Sequence, residues 1–166
     1  VDDETAKINL TKEIVLRGIQ PNRLIFAERL PKLEYLARYR LVDLFLDTLP
    51  YNAGTTASDA LRMGLPVLTC MGSSFVSREA ASVINAINLP ELITTSQEQY
   101  ESVAIELATD PEKLKIIKDK LADNLATAPL YDTPLFTRHL ESAYLTMYDR
   151  YQNGLDPEHI YVEHYK

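Results

Sequence analysis

At 166 residues, with 46% hydrophobic and 25% charged side chains, the chain has the length and make-up of one globular domain able to bury a core, which argues against disorder. A formal charge of −7 excludes an extended polyanion-binding surface, because nucleic-acid readers carry a basic stripe; any phosphate site must therefore be local. One cysteine excludes an intrachain disulfide framework, three scattered histidines give no metal-ligand spacing, and no stretch approaches the roughly 20 apolar residues of a membrane span.

The opening Val1-Asp2-Asp3-Glu4 is acidic where a signal peptide would be basic, and valine in place of methionine suggests a processed protein or a fragment. Thr11 to Arg17 then reads as a helix closed by Gly18, and Arg23 to Ala27 as a strand. Lys32 to Arg40 follows as a short amphipathic helix with Leu33, Leu36 and Ala37 on one face. Leu44 to Asp47, almost wholly apolar, has the character of a central parallel strand. A helix from Thr56 to Met63 stops at Gly64, and Pro66 starts the strand that Cys70 closes, which makes that thiol a buried strand-end residue rather than a nucleophile. After the turn Met71 to Ser74, a helix carries Phe75, Val76, Ala80, Val83, Ile84 and Ile87, and Glu91 to Ile93 reads as a short strand.

Beyond this point the strands run out. Ser96 caps a helix to about Ala108, Asp110 caps another that Pro111 starts, and Thr133-Pro134 opens a last helix to about Gln152, stopped by Gly154. The alternation of helix and strand predicts βαβ units and a parallel sheet with covered faces, so the fold class is α/β. Residues 1–154 form the predicted domain, and 155–166 a tail ordered only where it docks.

The unit Leu44 to Leu61 is strand, tight loop and helix start. The first N–H groups of a helix lack partners and carry partial positive charge, so Thr55 and Thr56 present amides and hydroxyls to an anion. Gly54 before them permits close backbone approach or a positive φ. Asp59, one turn on, suits a ribose, which makes a nucleotide the matching ligand. The competing reading is a Thr56-x-x-Asp59 capping box that only stabilises the helix. Lys32 lies at a helix entry after a strand end, where it can neutralise phosphate, and Arg38 can present its planar fork to a base or phosphate; both also read as ordinary solvated cations. Arg78 and Glu79 are adjacent on a predicted helix and read as solvated residues.

The segments Arg29-Leu30-Pro31-Lys32, Leu36-Ala37-Arg38, and Asp43 through Leu61 resemble the donor-binding half of the O-linked N-acetylglucosamine transferase family, including its SPINDLY-like bacterial members. Gly64 to Thr69, Ser77-Arg78 with Ala80-Ala81-Ser82, Leu89 to Ile93, and Phe136 to Glu141 follow in the family's order, so the likeness runs from about Thr11 to Gly154. It implies a GT-B fold of two Rossmann-like domains, this chain being most of the second. It also implies an inverting protein O-glycosyltransferase that uses a UDP-sugar donor without metal or other cofactor, and cytoplasmic work on protein serine or threonine through tetratricopeptide repeats elsewhere in the polypeptide. By matching positions Lys32 is the catalytic cation at the diphosphate, Thr55 and Thr56 bind phosphate, Asp59 binds ribose, and Leu30 and Arg38 lie along the uracil. Gly54 stands where many members have histidine, and Tyr35 where animal members do. The alternatives are a non-catalytic nucleotide-binding or interaction module, or a GDP-fucose-using relative.

Overall fold

The computed structural model describes residues 3–162, and the chain divides into two compact units, Val1–Arg38 and Tyr39–Lys166. In the first, helix α1 (Glu4–Leu16) starts well ahead of the predicted Thr11, because Asp3 caps it: Oδ1 accepts the N–H groups of Thr5 and Ala6 at 2.7 and 3.2 Å. Gly18 ends it as expected, in the left-handed region at φ 76°. The strand expected at Arg23–Ala27 does not form. A 3₁₀ turn occupies Pro21–Arg23, and the residues after it have no strand neighbour among the described residues. An apolar run becomes a strand only where another edge receives its hydrogen bonds. Helix α2 (Lys32–Arg38) closes the unit, and Arg38 Nη1 donates to the Glu28 carbonyl at 2.8 Å.

The second unit is built on a parallel sheet of β1 (Phe45–Leu46), β2 (Val67–Cys70) and β3 (Ile93–Thr94), in that order. Phe45 pairs with Val67 and Leu46 with Leu68; Thr69 pairs with Ile93 and Cys70 with Thr94. Every residue of β2 is buried, as a strand covered on both faces should be, and Cys70 is buried with it. The crossovers carry α3 (Thr55–Arg62) and α4 (Glu79–Ala86). Leu61, Leu65, Val67, Leu68, Ile84, Ile87, Leu89, Leu92 and Leu121 fill the core between sheet and helices. Gly64, at φ 80°, lets the chain turn back after α3, so that Leu65 N–H reaches the Ala60 carbonyl at 2.9 Å.

Two boundaries differ from expectation. The helix predicted to carry Phe75 begins only at Glu79, and Phe75 is 84% exposed. Ser77 Oγ donates to the Ser74 carbonyl and accepts the Ser74 N–H, both at 3.0 Å, which holds the preceding segment in a turn that competes with helix. Around Glu91 the chain first makes a 3₁₀ turn, Pro90–Leu92, and only Ile93–Thr94 pairs in the sheet.

Helices α5 (Gln97–Thr109), α6 (Pro111–Leu125) and α7 (Thr133–Gln152) follow. Ser96 and Asp110 cap the first two as predicted, and Asp132 caps the third. No residue of α7 is fully buried. The start of the tail docks on α7, where Arg150 pairs with Glu158 and donates to the Asp156 carbonyl. The last four tail residues, like Val1 and Asp2, lie outside the described residues. Among the described residues no helix is long and apolar enough to cross a membrane.

Candidate functional site

At the carboxyl end of β1, Asp47 organises the loop that leads to α3. Its Oδ1 accepts the N–H groups of Thr48 and Ala53, each at 2.8 Å, and its Oδ2 accepts the Thr69 hydroxyl of β2 at 2.6 Å. Tyr100 on α5 donates to the Asp47 carbonyl at 2.8 Å. Burial first, then the neighbouring Asp47 and Cys70, push that phenol up to about 12. Within the loop, Asn52 is 1% exposed; its Nδ2 donates to the Thr48 carbonyl at 2.8 Å, and its Oδ1 has no partner among the described residues. The sheet therefore fixes the loop's path on both sides of the turn, and with it the position where α3 begins.

Helix α3 begins at Thr55, one residue earlier than expected, with Gly54 at the N-cap. Its first intrahelical bond runs from Ser58 N–H to the Gly54 carbonyl at 3.1 Å, so the amides of Thr55, Thr56 and Ala57 have no intrahelical acceptor. No side chain caps them. Thr56 lies inside the helix, not at its cap, so the capping-box reading of Thr56 and Asp59 is not realised. Asp3, Ser96, Asp110 and Asp132 cap α1, α5, α6 and α7, whereas the two crossover helices α3 and α4, both entered from the carboxyl edge of the sheet, have no side-chain cap. Thr55 and Thr56 are exposed, and Asp59 is half-buried one turn on. Gly54, Thr56, Asn52 and Asp47 line an open cleft of about 300 Å³.

Gly54 has φ −98°, so the positive-φ role expected for it is not used. Its role is close approach. A β-carbon at position 54 would lie 2.0 Å from Oε1 of Glu79 and 2.6 Å from Cδ. The carboxylate read from sequence as solvated thus sits where a capping side chain at position 54 would begin. Nothing local in the sequence signals this contact, because it joins the starts of two crossover helices 25 positions apart.

The remaining candidates, Leu30, Lys32 and Arg38, belong to the first unit. Lys32 is the first residue of α2 and Arg38 the last. Both cations lie against one ring: Lys32 Nζ is 5.5 Å and the Arg38 guanidinium 5.7 Å from the centroid of Tyr35, cation–π distances that fix the direction of both side chains. Sequence reasoning gave Tyr35 no such role, nor did it single out Asp47, Thr69 or Tyr100. The spacing of Tyr35, three residues after Lys32 and three before Arg38, places all three on one helical face and was the available signal.

Comparison with known proteins identifies the family. The profile of Glycosyl transferase family 41 matches residues 4–140. A UDP-N-acetylglucosamine–peptide N-acetylglucosaminyltransferase of Caenorhabditis elegans is 32% identical over 152 residues, 92% of this chain and 13% of that protein. A probable UDP-N-acetylglucosamine–peptide N-acetylglucosaminyltransferase SPINDLY of Hordeum vulgare is 35% identical over 124 residues, 75% of this chain and 13% of that one. Among solved structures, the K341M mutant of Thermobaculum terrenum O-GlcNAc transferase superposes with a TM-score of 0.83 at 33% identity, covering 92% of this chain and 29% of that one. The chain thus spans only a small part of the relatives it matches, and its parallel α/β architecture is that of the GT-B catalytic region. On the length of the match and the level of identity, the chain belongs to glycosyl transferase family 41.

Proposed function

We propose that this chain is the donor-binding segment of an inverting glycosyltransferase that moves N-acetylglucosamine from UDP to a serine or threonine of a protein acceptor. The observation that carries the reading is the uncapped start of α3, three amides and two hydroxyls at the edge of an open cleft. In this reading Thr55 and Thr56 bind the diphosphate, Asp59 accepts from the ribose hydroxyls, and Leu30 and Arg38 lie along the uracil. Lys32 meets the charge that develops as the nucleoside diphosphate departs. Attack of the acceptor oxygen on the anomeric carbon breaks the bond to the diphosphate, and helix-end amides with a lysine stabilise the leaving group without a metal. The relatives' names, which specify UDP-N-acetylglucosamine and a peptide, support the donor and acceptor classes.

Titration calorimetry of the chain with UDP, GDP and inorganic phosphate tests the reading. Binding of UDP in preference to the other two is expected. Equal or absent heats for all three would overturn the nucleotide assignment, and a preference for GDP would move the donor to a guanosine sugar. A non-catalytic module is the second reading, favoured by one observation: the Glu79 carboxylate already stands beside Gly54.

A further inference from the structure

The carboxylate of Glu79 occupies the space that a side chain at position 54 would fill, with Oε1, Cδ and Oε2 at 2.0, 2.6 and 3.1 Å from the β-carbon position. We propose that Glu79 sets the strength of donor binding in this protein: it is an internal anion at the phosphate seat, and the donor's diphosphate settles on α3 only after that carboxylate has turned away. The proposal rests on the donor-binding reading of the same helix start.

Three observations carry it. Gly54 is the N-cap of α3, so a negative group placed beside it stands at the helix's positive end and is attracted by it. A diphosphate needs the same ground, and two anions a few ångströms apart repel at any dielectric constant. Next, Glu79 is not held in place: no hydrogen bond or ion pair to it is formed among the described residues, in contrast to Glu91 and Glu106, which are paired to Lys120 and Lys113. Glu79 also lines an open cleft of about 730 Å³ with Met71, Phe75, Arg78, Ser82 and Asn85, which offers space for a displaced carboxylate. Last, the cleft beside Gly54 carries an unpaired polar atom independent of the helix. Asn52 lines it at 1% exposure with an unpartnered Oδ1, a buried acceptor without a donor.

Glycine at position 54 and glutamate at position 79 are then one arrangement. Any side chain at position 54 evicts the carboxylate, and removal of the carboxylate makes room for a side chain there.

The test compares Glu79→Gln with the unaltered chain, since glutamine keeps the volume and removes the charge. UDP should bind the variant about tenfold more tightly, the size expected for one like charge removed at a partly exposed seat. Uridine, which has no phosphate, should bind both forms equally, a result that a general change in packing would not give. Unchanged or weaker UDP binding by Glu79→Gln would overturn the proposal while leaving the donor site standing. Absence of UDP binding in every form would overturn the donor reading and this proposal together.

Discussion

The hydroxyl of Thr69 on β2 donates to Oδ2 of Asp47 at the end of β1, at 2.6 Å, and both side chains are buried. This bond crosses between adjacent strands and leaves Oδ1 free to gather the amides of Thr48 and Ala53. Removing one partner of a buried bond costs about 1–3 kcal/mol, because the other is left without compensation. Thr69→Val should therefore lower stability in urea by about that amount. Asp47→Asn should do the same and also weaken UDP binding, since it disturbs the loop that places the start of α3.

Lys32 is the cation assigned to the leaving group. Charge on a departing diphosphate is largest in the transition state, so a lysine there acts more on turnover than on affinity. In an active enzyme containing this sequence, Lys32→Ala should reduce kcat by two to three orders of magnitude, about 3–4 kcal/mol, with a smaller change in KM. Steady-state kinetics with varied donor separates the two. Near-normal kcat would return Lys32 to a solvated role.

The Tyr100 phenol, pushed up to about 12 by burial and then by Asp47 and Cys70, remains protonated in the fold at a pH where the unfolded chain has begun to lose that proton. The folded state then binds more protons than the unfolded one, so stability is fully present below about pH 10 and falls as pH rises towards 12. Burial likewise raises Tyr131, which adds to the same alkaline loss. Melting temperatures of Tyr100→Phe and the unaltered chain should differ near neutrality and converge between those two pH values. A gap that stays constant would show that the phenol is not protected.

Leu61 faces the sheet from α3 at 0% exposure. Truncation to alanine removes three carbons from a filled core and should cost about 2–5 kcal/mol in denaturant unfolding, according to how far the neighbours close in. Leu33 on α2, 81% exposed, should lose well under 1 kcal/mol for the same change.

The parts of the fold legible in the sequence are those with local causes. Ser96 and Asp110 announce α5 and α6 because a cap acts over three residues, and Gly64 announces the end of α3 because a left-handed turn is a property of one residue. β1 and β2 were legible as apolar runs between turn signals. The run at Arg23–Ala27 has the same composition and no partner edge, and pairing is not written in composition. The helix start at Thr55 and Thr56 was legible for the same local reason. The contacts that shape it were not: Asp47 with Thr69, Tyr100 with Asp47, and Glu79 with Gly54 join residues 22, 53 and 25 positions apart.

Helix α7 runs for 20 residues and has no residue fully buried. Helix stability in proteins comes mostly from tertiary packing, which is sparse here, so the Asp132 cap and the Arg150 contact with the tail are among the local interactions that support it. Its amide protons should consequently exchange with solvent through local opening, at free energies well below that of global unfolding, while those of β2 report the whole domain. Phe136, Tyr144, Leu145, Tyr148 and Tyr151 all remain exposed along it, so any partner surface that covers this face would show itself first as slowed exchange in α7, before any change in melting temperature.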